Sequence, residues 1–228
     1  MSTIADNIAQ VAARIRAAEQ AAQRAEHSVR LLAVSKTKPS DAVREAYAAG
    51  VHDFGENYLQ EALGKQLELA DLPLIWHFIG PIQSNKTRAI AENFAWVHSV
   101  DRLKIAQRLS EQRPAELPPL NICIQVNVSG EASKSGCTPA DLPALASAIS
   151  ALPRLKLRGL MAIPEPTEDR AAQDAAFATV QMLQASLNLP LDTLSMGMSH
   201  DLESAIAMGA TWVRIGTALF GARDYGQP

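Results

Sequence analysis

Short apolar runs alternate with helix-forming stretches along the whole chain, and the alternation repeats eight times. The runs are Leu31 to Val34, Val51 to Phe54, Leu74 to Gly80, Ala95 to Val100, Leu120 to Val128, Leu157 to Ile163, Leu194 to Gly197 and Trp212 to Gly216. Most are continuously apolar, the mark of strands buried on both faces in a parallel sheet covered by helices. Eight such units in 228 residues favour a closed (β/α)8 barrel, a TIM barrel, over an open doubly wound sheet. No break in composition divides the chain, so one α/β domain over residues 1–228 is expected. The second and seventh runs are the weakest members of the count.

Before the first run, Ile4, Ile8, Val11, Ala12 and Ile15 recur at helical spacing. They predict an extra helix within residues 1–26, packed outside the barrel. This stretch lacks the basic start and apolar core of a signal peptide, and no run is long enough to span a bilayer. A net charge of -3 disfavours nucleic acid as a partner. Cys123 and Cys137 show neither metal-ligand nor redox spacing, so no metal is expected and a reducing cytoplasm is the natural compartment.

In a barrel, residues just after the strands meet at one mouth, where chemistry sits. Here they are Lys36, Asn57, His77, Ser99, Asn127, Met161, the Ser195 to Ser199 loop and Arg214 to Thr217. Lys36 closes an apolar run ahead of Pro39. A lysine there loses solvation of its charged form and becomes available as a nucleophile toward an aldehyde, although a solvated surface lysine is the commoner outcome of such a stretch. The turns at Ser195-Met196-Gly197-Met198-Ser199 and Gly216-Thr217 follow strands seven and eight, where barrels bind phosphate through backbone N–H groups and hydroxyls. Arg214 lies in an otherwise apolar strand and needs a partner, either a structural carboxylate or a ring nitrogen or anion in the mouth. His77, following Trp76 in a buried strand, reads more often as a satisfied core histidine than as a catalyst. Glu56 could pair with a basic group or simply open its helix, which leaves Asn57 the better-placed ligand contact. A lysine nucleophile, a two-loop phosphate cup and an arginine opposite describe a pyridoxal 5'-phosphate (PLP) site. A lysine aldolase acting on a sugar phosphate would need nearly the same parts.

Several longer motifs carry a resemblance along nearly the whole chain. They are Ala33 to Pro39, Phe54-Gly55-Glu56-Asn57-Tyr58, Trp76 to Lys86, Gly159 to Ile163, Leu194 to Ser199 with Asp201, and Val213 to Thr217 through Phe220-Gly221. In these the chain resembles the YggS/PROSC family of pyridoxal phosphate homeostasis proteins. The resemblance implies the fold-type III barrel of the alanine racemase N-terminal domain, standing alone and monomeric. It implies a Schiff base at Lys36, with phosphate contacts from Ser199, Gly216 and Thr217 and a further one from Ser195. Arg214 would face the pyridine nitrogen, and Asn57 and His77 would lie near the cofactor. The chain stops soon after the barrel, and no second proton-transfer residue is identifiable. A cofactor-binding protein of vitamin B6 balance is therefore expected, without catalytic residues; the alternative is a small PLP-dependent amino-acid racemase. PLP-dependent apoenzymes are the partners the resemblance suggests. Lys38, Lys86 and Lys134 are candidates for a secondary lysine that passes the cofactor on, or are solvated surface lysines.

Overall fold

The computed structural model describes residues 2–130 and 135–222. Eight strands run as β1 (Arg30–Val34), β2 (Asp53–Glu56), β3 (Ile75–Phe78), β4 (Trp96–Val100), β5 (Leu120–Gln125), β6 (Leu155–Met161), β7 (Thr193–Ser195) and β8 (Trp212–Ile215). Every neighbouring pair is parallel, and β8 returns to β1 through Leu31↔Val213 and Leu32↔Arg214, which closes the barrel. Between strands lie α2 (Ser40–Ala48), α3 (Leu59–Glu68), α4 (Thr87–Asn93), α5 (Leu103–Gln112), α6 (Leu142–Ser150), α7 (Arg170–Ser186) and α8 (Leu202–Ala207); α9 (Thr217–Phe220) follows β8. Both weak strands are present, at four and three residues.

The extra helix is α1 (Ile4–Ala21), which packs on α2, α8 and α9. A reciprocal cap starts it: Asp6 N donates to Thr3 Oγ1 and Thr3 N donates to Asp6 Oδ2. Ile8, Val11, Ile15 and Ala18 form its buried stripe. It ends earlier than the sequence pattern suggests, because Gln23 adopts a left-handed φ of 54°. Arg24, beyond that break, donates to Ile206 O and Ala210 O at the end of α8. Strand β2 is also shifted: Gly55 and Glu56 belong to the strand rather than to the loop after it. At α2 the cap position is Pro39, and the hydroxyl of Ser40 donates to Glu68 instead of capping.

Two cores result. The larger lies between the barrel wall and its helices, where Val43, Ala62, Ile90, Ile105, Leu142 and Val180 pack. The second fills the barrel itself. Trp96 of β4 and Trp212 of β8 approach to 5.9 Å between ring centroids, and since β4 and β8 are not neighbours that contact crosses the lumen. Cys123 lies here with Trp96 and Met161. Burial pushes the Cys123 thiol up to about 12 and the Cys137 thiol up to about 11. Because the thiolate is the reactive form, neither cysteine should be alkylated by iodoacetamide in the native protein at mildly alkaline pH, and both should be alkylated in urea. Intact-mass measurement of the two samples checks this, and native labelling of Cys123 would contradict it.

Candidate functional site

Lys36 sits on a turn just past β1, and that turn is clamped on both flanks. Ser35 N donates to Gly55 O at 3.1 Å and Lys38 N to Ser35 O at 3.0 Å. Thr37 holds a left-handed φ of 64°, a costly conformation for a β-branched residue, and its N–H donates to Glu61 Oε1 at 2.6 Å. Lys65, from α3, is buried and reaches beneath the turn. Its Nζ donates to Ser35 O at 2.6 Å, Glu56 Oε1 at 2.8 Å and Glu61 Oε1 at 2.6 Å. Ser35 Oγ donates to the same Glu56 oxygen. Burial raises the Glu56 carboxyl above its ordinary range, and the Lys65 ammonium only partly offsets this. Glu56 thus neither opens a helix nor reaches the mouth; it anchors the lysine turn from below.

The turn opens onto a cleft of about 260 Å³ at the C-terminal ends of the strands. Lys36, Asn57, Ser199, Arg214, Gly216 and Thr217 all line it. Asn57 Oδ1 is buried and accepts no hydrogen bond among the described residues, a state that costs free energy unless a ligand fills it. Asn57 is set by a close approach: a Cβ on Gly80 would stand 2.3 Å from Asn57 O. The Ser199 loop is shaped by Gly197 at φ 97° and by Met198 N donating to Asp201 Oδ1 at 2.6 Å. Helix α1 braces both small-residue loops. Arg14 donates to Ser199 O at 3.1 Å while pairing with Glu203, and Asn7 Nδ2 donates to Leu219 O at 2.9 Å. In α9 the first intrahelical bond is Leu219 N to Gly216 O, so the helix itself does not use the amides of Thr217 and Ala218.

The other two candidates, His77 and Ser195, do not line the cleft. Both are fully buried one layer below it. His77 Nε2 meets Asp53 Oδ1 at 2.9 Å and its Nδ1 meets His98 Nε2 at 2.9 Å. His98 Nδ1 meets Ser195 Oγ at 2.7 Å. Arg214, which does line the cleft, donates NH1 to Ser195 Oγ at 2.9 Å and NH2 to Ala162 O at 3.1 Å. Its partners are thus a hydroxyl and a carbonyl rather than the structural carboxylate. Burial lowers the pKa of His77 and of His98, and lowers that of Arg214 to about 10. Ser99 is turned to Gly80 O, Asn127 holds the Ser129 turn, and Met161 packs in the lumen. Lys38 lines the cleft and donates to Ala222 O at 2.8 Å. Lys86 does not line it, and Lys134 lies outside the described residues.

Reading strand ends alone misses His98, Asp53, Lys65 and Arg14. For His98 a signal exists: it stands two residues after Trp96 in one strand, so the two share the inward face. For Arg14 the partners are distant in sequence and no local pattern marks them. For Lys65 the local signal is only the Glu61 to Lys65 spacing of an ordinary helix pair, and nothing local marks its reach to Ser35 O.

The residues suit PLP, the cofactor the resemblance implies. Lys36 supplies an amine, Ser199 and Thr217 supply hydroxyls, the start of α9 offers the Thr217 and Ala218 amides that the helix does not use, and Asn57 Oδ1 is an acceptor with no donor among the described residues. Comparison with known proteins points the same way. The family model of the alanine racemase N-terminal domain matches residues 7–224. The pyridoxal phosphate homeostasis protein of Pseudomonas aeruginosa is 79% identical over 228 residues, covering 100% of this chain and 99% of its own length. Its Escherichia coli counterpart is 54% identical, with 99% of each chain covered. The PipY protein of Synechococcus elongatus, solved with PLP bound, is 43% identical over 96% of this chain and 100% of its own, with a TM-score of 0.84. Alanine racemase from Corynebacterium glutamicum is 19% identical, with a TM-score of 0.67 over 96% of this chain and 62% of the racemase. At that identity the likeness shows the fold alone. Among the described residues, no helix is long and apolar enough to cross a membrane.

Proposed function

This chain belongs to the pyridoxal phosphate homeostasis family, built on the alanine racemase N-terminal barrel, and from that premise we propose that it binds PLP at the barrel mouth and balances its supply in the cell. The observation that carries this reading is the meeting of Lys36, an unsatisfied Asn57 oxygen, Arg214 and two small-residue loops in one cleft. When bound, PLP would supply an aldehyde electrophile, and Lys36 would hold it by presenting its amine to that group. Ser199, Gly216 and Thr217 would hold its phosphate. Arg214 would face the ring nitrogen and, as a cation, oppose protonation there, leaving the ring a weaker electron sink. Asn57 would lie near the ring. Ser195 and His77 act from beneath, through Arg214.

The rim residues His200, Thr217 and Gly221 are exposed, so a bound cofactor stays reachable from solvent. That suits a monomeric carrier in the cytoplasm that hands PLP to apoenzymes, and the two unpaired, buried cysteines suit that compartment. Carrier and racemase are separated by incubating the PLP-loaded protein with L-alanine and with L-serine in deuterated water. The expected result is no sustained conversion to the D-enantiomer. Sustained conversion that disappears in Lys36→Ala would make the protein a racemase.

A further inference from the structure

We propose that Asp53, His77, His98 and Ser195 form a one-way hydrogen-bond relay through the barrel interior that fixes Arg214, and through it the ring nitrogen of the cofactor. The cofactor clause rests on the PLP reading above; the relay itself does not.

The relay joins five side chains from β2, β3, β4, β7 and β8 at four contacts of 2.7 to 2.9 Å. It starts at Asp53, whose side chain is 20% exposed at the first residue of β2, and ends at the guanidinium that lines the cleft. It therefore runs the height of the barrel, from the end opposite the mouth to the mouth.

Each link dictates the next. An ionised carboxylate only accepts, so His77 donates from Nε2. A neutral His77 then accepts at Nδ1, so His98 donates from Nε2. His98 in turn accepts at Nδ1, so the Ser195 hydroxyl donates to it. Ser195 Oγ is left to accept from Arg214 NH1. One direction satisfies every group: Arg214 to Ser195 to His98 to His77 to Asp53. It requires both histidines to be neutral, as their burial favours. The Arg214 cation from β8 and the Arg30 cation from β1 also oppose a charge on these rings, against the single attraction of Asp53 from β2. The His77 ring is held between Trp96, on which it stacks with its plane within 9° at 5.5 Å, and Trp212, which it meets edge-on at 5.0 Å, and His98 packs tilted against Trp96 at 5.8 Å.

A fully connected polar network specifies one arrangement, whereas apolar residues of like volume would be as stable. What the network specifies here is the direction of the Arg214 fork. If Asp53 no longer accepts, His77 can carry its proton on Nδ1. His98 must then accept at Nε2 and donate from Nδ1. Ser195 Oγ would then accept from both His98 and Arg214 through its two lone pairs, its own hydrogen would have no acceptor in the relay, and the Arg214 fork would lose its single fixed setting. Asp53, His77, His98 and Ser195 are thus positioning residues.

The test is nitrogen-15 NMR of the imidazole rings near neutral pH, in the full chain with and without PLP. Both His77 and His98 should be in the Nε2–H neutral form. Asp53→Ala should convert His98 to the Nδ1–H form although the two residues do not touch. It should also weaken PLP affinity roughly tenfold and move the visible band of the bound cofactor. Asp53→Asn, whose amide oxygen can still accept from His77, should keep the wild-type tautomers and band. A merely structural Asp53 would lower stability in Asp53→Ala and leave the His98 tautomer and the band in place, and that outcome overturns the relay. So does wild-type His98 in the Nδ1–H or charged form, a result that needs no variant to fold. Ser195→Ala cuts the relay at its other end: the His98 Nδ1 signal should move to that of a nitrogen with no donor while His77 is unchanged, and an unmoved His98 signal overturns the proposal too. If wild type takes up no PLP, the cofactor reading fails while the tautomers still decide the relay.

Discussion

Lys65→Met is expected to lose about 3–5 kcal/mol of stability at neutral pH, and to lose less as the solution is acidified. Lys65 sits under the turn that carries Lys36, with its ammonium on Ser35 O, Glu56 and Glu61. Glu56 is fully buried, and its Oε2 has no hydrogen-bond partner among the described residues even with Lys65 in place. Methionine fills the same space but leaves the Glu56 carboxylate uncompensated, and a buried unpaired charge is among the costliest single defects. The pH dependence follows from the direction of the Glu56 shift. Its pKa is already raised in the fold by burial, and Lys65 is the main force pulling it back down. Without Lys65 it rises further above the unfolded value. Between the unfolded and folded pKa the folded state binds more protons, so the variant's stability falls as pH rises through that window and recovers below it. Urea unfolding of wild type and variant at about pH 7 and about pH 5 measures both points. A loss that is the same at the two pH values would show that Glu56 is not the group left stranded. The variant should also take up PLP more weakly than its folded fraction explains, because the turn that presents Lys36 has lost its floor.

Gly159→Ala should be costlier than an ordinary overpacking change, at or beyond the ~3 kcal/mol upper end of that class. Gly159 lies in β6 opposite Thr193 of β7. A Cβ there would fall 1.7 Å from Thr193 O and 2.7 Å from Gln184 Oε1. The first is backbone in a three-residue strand, which cannot step aside without breaking the β6–β7 pairing that leads to Ser195. Gly64→Ala is the matched control: Gly64 lies on the exposed face of α3, nothing stands within 4 Å of its added Cβ, and the change should stabilise by about 0.5–1 kcal/mol. Thermal unfolding of the pair reads both signs. A Gly159→Ala protein as stable as wild type would mean that β7 can shift, and with it the loop that carries Ser199.

The barrel is legible in the sequence because strands buried on both faces carry an unbroken apolar signal, and eight of them leave few alternatives. Strand limits are less legible. At β2, Gly55 and Glu56 look like a turn, since a glycine and an acid rarely mark a strand; they are strand because Glu56 has a buried lysine to meet. Six of the eight candidate site residues share the cleft because strand ends in a barrel must converge, and the position after a strand can be read locally. His77 and Ser195 also fall near strand ends but point one layer lower, where the alternation of side chains decides and the end of the strand does not. The alternation Trp96, Val97, His98 carried the missing clue to the lumen. Lys65 reads as a solvated helix lysine in Leu63-Gly64-Lys65-Gln66, and only the fold puts Ser35 and Glu56 over it. The requirement for glycine at 159 and at 80 is likewise invisible until Thr193 O and Asn57 O are in place.

The most direct measurement is the absorption spectrum of the purified protein with PLP, before and after borohydride, with Lys36→Ala beside it. The expected result is a visible band that borohydride removes, a pyridoxyl group mapped to Lys36 by peptide mass, and neither feature in Lys36→Ala. A wild-type protein that shows no band with added PLP, or a reducible band that survives in Lys36→Ala, would contradict the assignment of Lys36 and of the cleft around it.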